Sequence, residues 1–288
     1  MEIEAREETF KILSSEGHKG CSKQACLFKS MDDSKTYKTQ HRWPCGGTDC
    51  VMKGPDINKL LEIIRNGQIP LLEYDKSSSK VNVRPYERPQ TYATISHVWS
   101  DGYGNREAAE LPECQLEFIS SLVQKSKHRG QGDALFWMDT LANPPHIYFE
   151  ERRLAVQRIK DVYHNAKLTI VLDLALEHVR TGQKYHEIGM RILASGWMRR
   201  LWTLQEAYLS KKIEFAFNDE KLMDLDDIED MYSDAKNSLA SNMATLARTY
   251  FHHMMGLERQ ARLFNFYPKN PYDIIASVWR SAQWRVRA

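Results

Sequence analysis

The residue types able to do chemistry fall at a few points of the chain. Ser96, His97, Trp99, Ser100 and Asp101 follow one apolar run, Asp139 and Thr140 close a second, Asp173 closes a third, and Glu206 lies within SGWMRRLWTLQEAYL. Polar residues at the carboxyl ends of sheet strands meet loops and helix N-termini there, which is where open sheets bind ligands. Each has a plainer use as well. Asp139 can cap a turn, Asp101-Gly102 is an ordinary turn dipeptide, and Trp99, Trp137, Trp197 and Trp202 are the large aromatics that dominate cores. His97 alternates with Ser96 and Val98, so a buried, hydrogen-bonded histidine is expected rather than a catalytic one. Glu206 stands apart. Helical spacing gives it a face with Trp202, Thr203 and Leu209, beside the stripe of Trp197, Leu201, Leu204 and Tyr208. Half-burial there would raise its pKa, which suits a group that exchanges protons or stabilises a developing cation; the plainer reading is a surface glutamate paired with Lys211.

The cysteines form a second constellation. Cys21, Cys26, Cys45, Cys50 and Cys114 are odd in number, and no signal-peptide pattern opens the chain, so reduced thiols rather than a disulfide framework are expected. Four of them make two C-x4-C pairs with His18 and His41 nearby, so His18, Cys21, Cys26, His41, Cys45 and Cys50 are possible zinc ligands. That spacing is looser than a usual zinc knuckle. The expectation is an irregular arm without metal, with a structural zinc as the alternative. His252 and His253 are adjacent, point to different faces of a helix, and are expected in solvent.

Charge excludes other classes. Forty Lys and Arg against 38 Asp and Glu leave a formal charge of +2, too little field to drive binding to nucleic acid or anionic lipid. The opening MEIEAREETF lacks an apolar leader, and no later run approaches the ~20 apolar residues of a membrane helix, so a soluble, cytoplasmic protein is expected.

These residues need elements to hold them. Residues 1–54 read as an irregular arm, and residues 55–90 as a helix and linker: Asp56 caps Ile57, Leu60, Leu61 and Ile64, Asn66-Gly67 stops that helix, Ile69 to Tyr74 extends, and Ser77–Ser79 begins a loop. Residues 91–218 alternate apolar runs with amphipathic helices, the pattern of an α/β domain with an open, mostly parallel sheet flanked by helices. Its four strands are Tyr92 to Trp99, Leu135 to Asp139, Leu168 to Leu174 and Lys212 to Phe217. Its three crossovers carry Leu116, Ile119 and Val123 after Pro112; Val156, Ile159, Val162 and Tyr163; and the stripe from Trp197 to Tyr208. Residues 219–288 read as a helical appendage without strands.

YATISHVWSDG, LFWMDTLANPP and GWMRRLWTLQEAYL resemble, in order, three motifs of the fungal heterokaryon-incompatibility (HET) domain, over about Tyr92 to Phe217. His97 stands where that family usually has Tyr, Ser100 where it has Gly, and Ala142-Asn143-Pro144 where it has Cys-Ile-Asn; Trp202, Gln205 and Glu206 keep the last motif. The resemblance implies a TIR/flavodoxin-like fold and a role in self/non-self recognition and programmed cell death. By the more distant likeness to TIR domains it implies a glutamate, here Glu206, that cleaves the nicotinamide–ribose bond of NAD. NAD is then a substrate, and no cofactor is implied. Ser96, Asp101 and Asp139 would position ribose and phosphates, Trp99 would stack on the base, and Trp202 would flank the acid. A homo-oligomer or an incompatibility-protein partner is implied too. The alternative is a non-catalytic adaptor acting by self-association.

Overall fold

A computed structural model describes residues 39–42, 45, 47 and 50–227, the last span with short gaps at 106, 129, 131, 182–184, 201–202, 204–205, 208, 219 and 226. In chain order its elements are β1 (Met52–Lys53), α1 (Ile57–Arg65), β2 (Pro70–Asp75), β3 (Lys80–Pro85), β4 (Ala93–His97), β5 (Leu111–Pro112), α2 (Glu113–Lys125) and β6 (Phe136–Met138). There follow α3 (Asp139–Ala142), α4 (Phe149–Gln157), α5 (Ile159–Asn165), β7 (Leu168–Leu172), α6 (Leu174–Glu177), α7 (Tyr185–Ala194), β8 (Ile213–Ala216) and β9 (Leu222–Asp224). Seven strands form one mixed sheet flanked by helices, in the order β3-β2-β6-β4-β7-β8-β9, and β1 pairs with β5 apart from it. The fold is α/β.

Contacts divide the chain into two compact bodies. The first comprises the described part of Met1–Glu87 with His97–Ser121 and Trp137–Gln157. Here α1 begins because Asp56 accepts a hydrogen bond from the Lys59 amide at 3.0 Å, leaving one fewer orphan donor in the first turn. It ends where Gly67 takes φ +70° and donates to the Ile64 carbonyl. Leu60, Leu61, Ile63 and Ile64 are buried, and the helix packs on β3 and α4, where Arg65 also pairs with Glu151. Each such aliphatic side chain removed from water contributes about 1.5–3 kcal/mol. β2 and β3 form a hairpin with Leu71 opposite Arg84 and Tyr74 opposite Val81. Its turn is closed by the Asp75 carboxylate, which accepts from the hydroxyls of Ser77 and Ser78 and the Ser77 amide; these bonds hold its pKa down at about 2.

The second body comprises Arg88–Ser96, Leu122–Phe136 and the described chain from Arg158. Every residue of β7 is buried, as a central strand requires, and β8 runs parallel to it with Thr169 opposite Ile213 and Val171 opposite Phe215. The Lys167 amide donates to the Tyr92 carbonyl and the Thr94 hydroxyl lies against Leu168 and Thr169, so β4 starts beside the start of β7 and runs the same way. Tyr92 is buried, and its hydroxyl finds the Val162 carbonyl at 2.6 Å.

Several expectations need correction. The sheet has more strands than the four expected and is mixed, with antiparallel pairs at both ends and β7 and β8 parallel between them. Lys80–Pro85, read as loop, is a strand: Val81 and Val83 are buried while Lys80 and Asn82 are exposed, a period of two too short to stand out from its Ser-rich flank. β9 lies in the segment read as strandless; only three residues, it gets its definition from pairing with β8. Pro112 belongs to β5, and the helix starts one residue later. Val156 is exposed, and the stripe assigned to one helix is divided at Arg158 into α4 and α5. Trp197 sits in a single 3₁₀ turn, Trp197–Arg199, and Arg200 is extended at φ −99°, ψ 144°, so the stripe from Trp197 to Tyr208 is not one helix. The helical reading of the chain beyond 227 and that of most of the arm lie outside the described residues, as do His18, Cys21, Cys26, Trp202, Gln205, His252 and His253.

Candidate functional site

In the second body one buried hydroxyl ties four groups together. Ser96 is the penultimate residue of β4 and is 1% exposed. Its single proton goes to Glu206 Oε2, and its oxygen accepts the Trp197 indole N–H at 2.6 Å. The Trp197 amide in turn donates to Asp173 Oδ2 at 2.7 Å, while Asp173 Oδ1 accepts from the Ala175 amide and so caps α6. The 3₁₀ turn exists to serve this arrangement: its own N-terminal amide is satisfied by Asp173, and the Thr203 hydroxyl donates back to the Trp197 carbonyl. The Trp197 ring meets Phe215 edge-on, centroids 5.6 Å apart at 89°, which fixes the indole N–H toward Ser96. Glu206 is helical and half-buried, with one carboxylate oxygen oriented by Ser96.

The position of this network follows from strand order. Chain order of the inner strands is β4, β6, β7, β8, whereas their spatial order is β6-β4-β7-β8, so the sheet reverses direction of growth between β4 and β7. Ser96 and Asp173 stand at the carboxyl ends of those two strands, where an α/β sheet opens a crevice.

The first body holds a separate network. Asp139 Oδ2 accepts the Trp99 indole N–H at 2.7 Å and Asp139 Oδ1 lies 3.2 Å from His97 Nε2. His97 Nε2 also lies 3.1 Å from the Thr140 hydroxyl, which donates its proton to the Tyr103 carbonyl at 2.8 Å. The hydroxyl has only one proton, so Nε2 must carry the imidazole hydrogen and donate toward Thr140 and Asp139. His97 is thus a buried group that holds its neighbours in place, as its alternation with Ser96 and Val98 suggested. Asp101 belongs to the 3₁₀ turn Trp99–Asp101 and its amide returns to the Val98 carbonyl. The sequence-derived set is therefore divided: Ser96 joins Glu206, Trp99 joins Asp139, and Asp101 shapes a turn. Missed were the linking roles of Trp197 and Asp173, which only the crossing of 3₁₀ turn and strand end reveals.

Also in the first body, His41, Cys45, Cys50 and Cys114 bring one donor atom each to within 4.8 Å of one another. Cys45 Sγ and Cys114 Sγ lie 3.7 and 3.8 Å from His41 Nδ1. Burial pushes the Cys114 thiol up to about 12, although the Arg42 amide opposes it by donating to the sulfur.

Compared with protein-family models, curated proteins and solved structures, the chain finds no match.

Proposed function

We propose that this chain is a self/non-self recognition module of the HET type, TIR/flavodoxin-like in fold, whose Glu206 cleaves the nicotinamide–ribose bond of NAD. The observation that supports this reading best is the Trp197–Ser96–Glu206 network at the strand-order reversal, with Asp173 anchoring its base. Nicotinamide leaves as a neutral molecule, so the reaction needs no general acid. What it needs is a fixed negative charge beside an oxocarbenium-like ribose and an anchor for the sugar hydroxyls. A carboxylate oriented by a buried serine and half open to solvent has that character, because the serine removes reorganisation before the charge develops. Asp139 is a weaker candidate for the anchor, since its two oxygens already face Trp99 and His97.

The test is incubation of concentrated purified protein with NAD and chromatographic measurement of free nicotinamide. Turnover is expected, and Glu206→Gln, which keeps shape and removes charge, is expected to lower it by about 10²–10³-fold with the fold intact by circular dichroism. Wild-type turnover in the variant would show that Glu206 is not the reacting group.

One observation favours self-association. Phe149 and Val156, seven residues apart on α4, are 69% and 44% exposed, and Ile147 just before them is 82% exposed. An apolar strip of this kind suits a second copy, and activity that rises faster than linearly with protein concentration is expected. Absence of NAD cleavage at every concentration, with a self-associating protein by light scattering, leaves the adaptor reading in its place.

A further inference from the structure

We propose that His41, Cys45, Cys50 and Cys114 bind one structural zinc ion, with Cys114 as the ligand that joins the amino-terminal segment to helix α2. The donor set is three sulfurs and one imidazole nitrogen, a soft combination that selects zinc in a reduced protein. A tetrahedral ion with bonds of about 2.3 Å to sulfur and about 2.05 Å to nitrogen puts sulfur and nitrogen about 3.6 Å apart and sulfurs about 3.8 Å apart. The two sulfur–nitrogen separations, 3.7 and 3.8 Å, lie within two tenths of an ångström of that geometry. Four protein ligands fill a tetrahedron, leaving no open position, so the site is structural rather than catalytic.

The surroundings are built to hold these atoms. The Cys114 amide donates to Cys50 Sγ at 3.4 Å and the Arg42 amide donates to Cys114 Sγ at 3.3 Å, the partners a metal-bound thiolate requires. Cys50 lies two residues before β1 and Cys114 two residues after Pro112 of β5, so pairing of those strands delivers both sulfurs to one end of the ribbon. His41 sits between two anchored neighbours. The Gln40 amide donates to the Gly102 carbonyl, and its own carbonyl accepts from Gln115 Nε2 at 2.7 Å. Arg42 donates to the Tyr103 hydroxyl at 2.9 Å and lays its guanidinium 3.3 Å over the Phe118 ring. None of these contacts involves the ion, so the ligands are gathered by the fold before zinc arrives. Zinc takes its cysteine ligands as thiolates and its histidine as the neutral imidazole, so binding is coupled to proton release.

Elemental analysis of the full chain, purified reduced and dialysed against zinc-containing and then zinc-free buffer, tests this. One zinc per chain is expected, released by a mercurial thiol reagent. Cys114→Ser and His41→Ala are each expected to lose it, while Cys21→Ser and Cys26→Ser retain it. If the ligand variants fail to fold, cobalt substitution of the wild type decides: tetrahedral visible bands with sulfur-to-cobalt charge transfer support the site. An octahedral cobalt spectrum, iron in place of zinc, a disulfide among these cysteines in protein purified without air, or a fully reduced protein without stoichiometric zinc overturns it.

Discussion

Ser96→Ala tests the network on which the proposed chemistry rests, and its effect is calculable. The substitution removes a hydroxyl that donates to the Glu206 carboxylate and accepts from Trp197, at a position only 1% exposed. A hydrogen bond to a charged group contributes about 1.5–3 kcal/mol, and a buried indole N–H left without a partner costs about 1–3 kcal/mol more. Allowing for overlap, a loss of about 3–4 kcal/mol is expected, or roughly 6–16 °C in Tm for a domain of this size. Trp197→Phe keeps an aromatic ring against Phe215 but deletes the N–H, and should cost about 2 kcal/mol, mostly as cavity. The informative quantity is the cycle. In the double variant no indole N–H remains to be orphaned, so its loss should fall short of the sum by about 1–2 kcal/mol. Urea unfolding of the four proteins, followed by circular dichroism, measures it. Additivity within about 0.5 kcal/mol would refute the claim that Ser96 and Trp197 satisfy one another.

Three further outcomes follow from other contacts. Glu214 is buried in β8, and burial chiefly raises its pKa above the ordinary carboxylate value. The folded state therefore holds a proton that the unfolded chain has lost, so stability is greater below the ordinary value and falls as pH rises through the window up to the folded pKa. Glu214→Gln should flatten that decline in denaturation series across pH; an unchanged slope would contradict it. Asp173→Ala removes both the cap of α6 and the acceptor of the Trp197 amide, and a loss of about 2–4 kcal/mol is expected in chemical denaturation; Asp173→Asn keeps one acceptor oxygen but turns an NH2 toward the other amide, so it should recover only part of that loss. A loss below about 1 kcal/mol in Asp173→Ala would argue against the bond to Trp197. Gly102 has φ +96°, and a Cβ there would stand 2.4 Å from the Gln40 side chain, so Gly102→Ala should expel residues 39–42 and raise their amide exchange by mass spectrometry. Unaltered exchange at those residues would count against the proposed anchoring.

The legible parts of this chain were those whose signals are local. Asp56 and the i, i+3, i+4 apolar spacing after it announce α1, and the near-continuous apolar run LTIVL announces a central strand. Glu206 drew notice by its helical neighbours, yet its partner Ser96 lies 110 residues away and no spacing rule connects them. Cys114 was overlooked for the same reason. His41, Cys45 and Cys50 are close in sequence, whereas the fourth donor comes from the start of α2, brought there by two-residue strands too short to leave a pattern. Cys21 and Cys26, equally close, lie outside the described residues. The break at Arg200 was hidden because residues on either side favour helix; what interrupts it is the demand of Asp173 and Ser96 on the two nitrogens of Trp197.

The outer strand of the hairpin carries its own consequence. β3 forms one border of the sheet and ends in Pro85, which has no amide hydrogen to offer; Lys80 projects into solvent, and Arg84 reaches Glu73 across the hairpin. Charge and proline along a border make it a poor template for another chain's backbone. Fibre-like stacking is thereby discouraged on that side, where an assembly would have to rest on discrete side-chain contacts, whose strength a single substitution can tune.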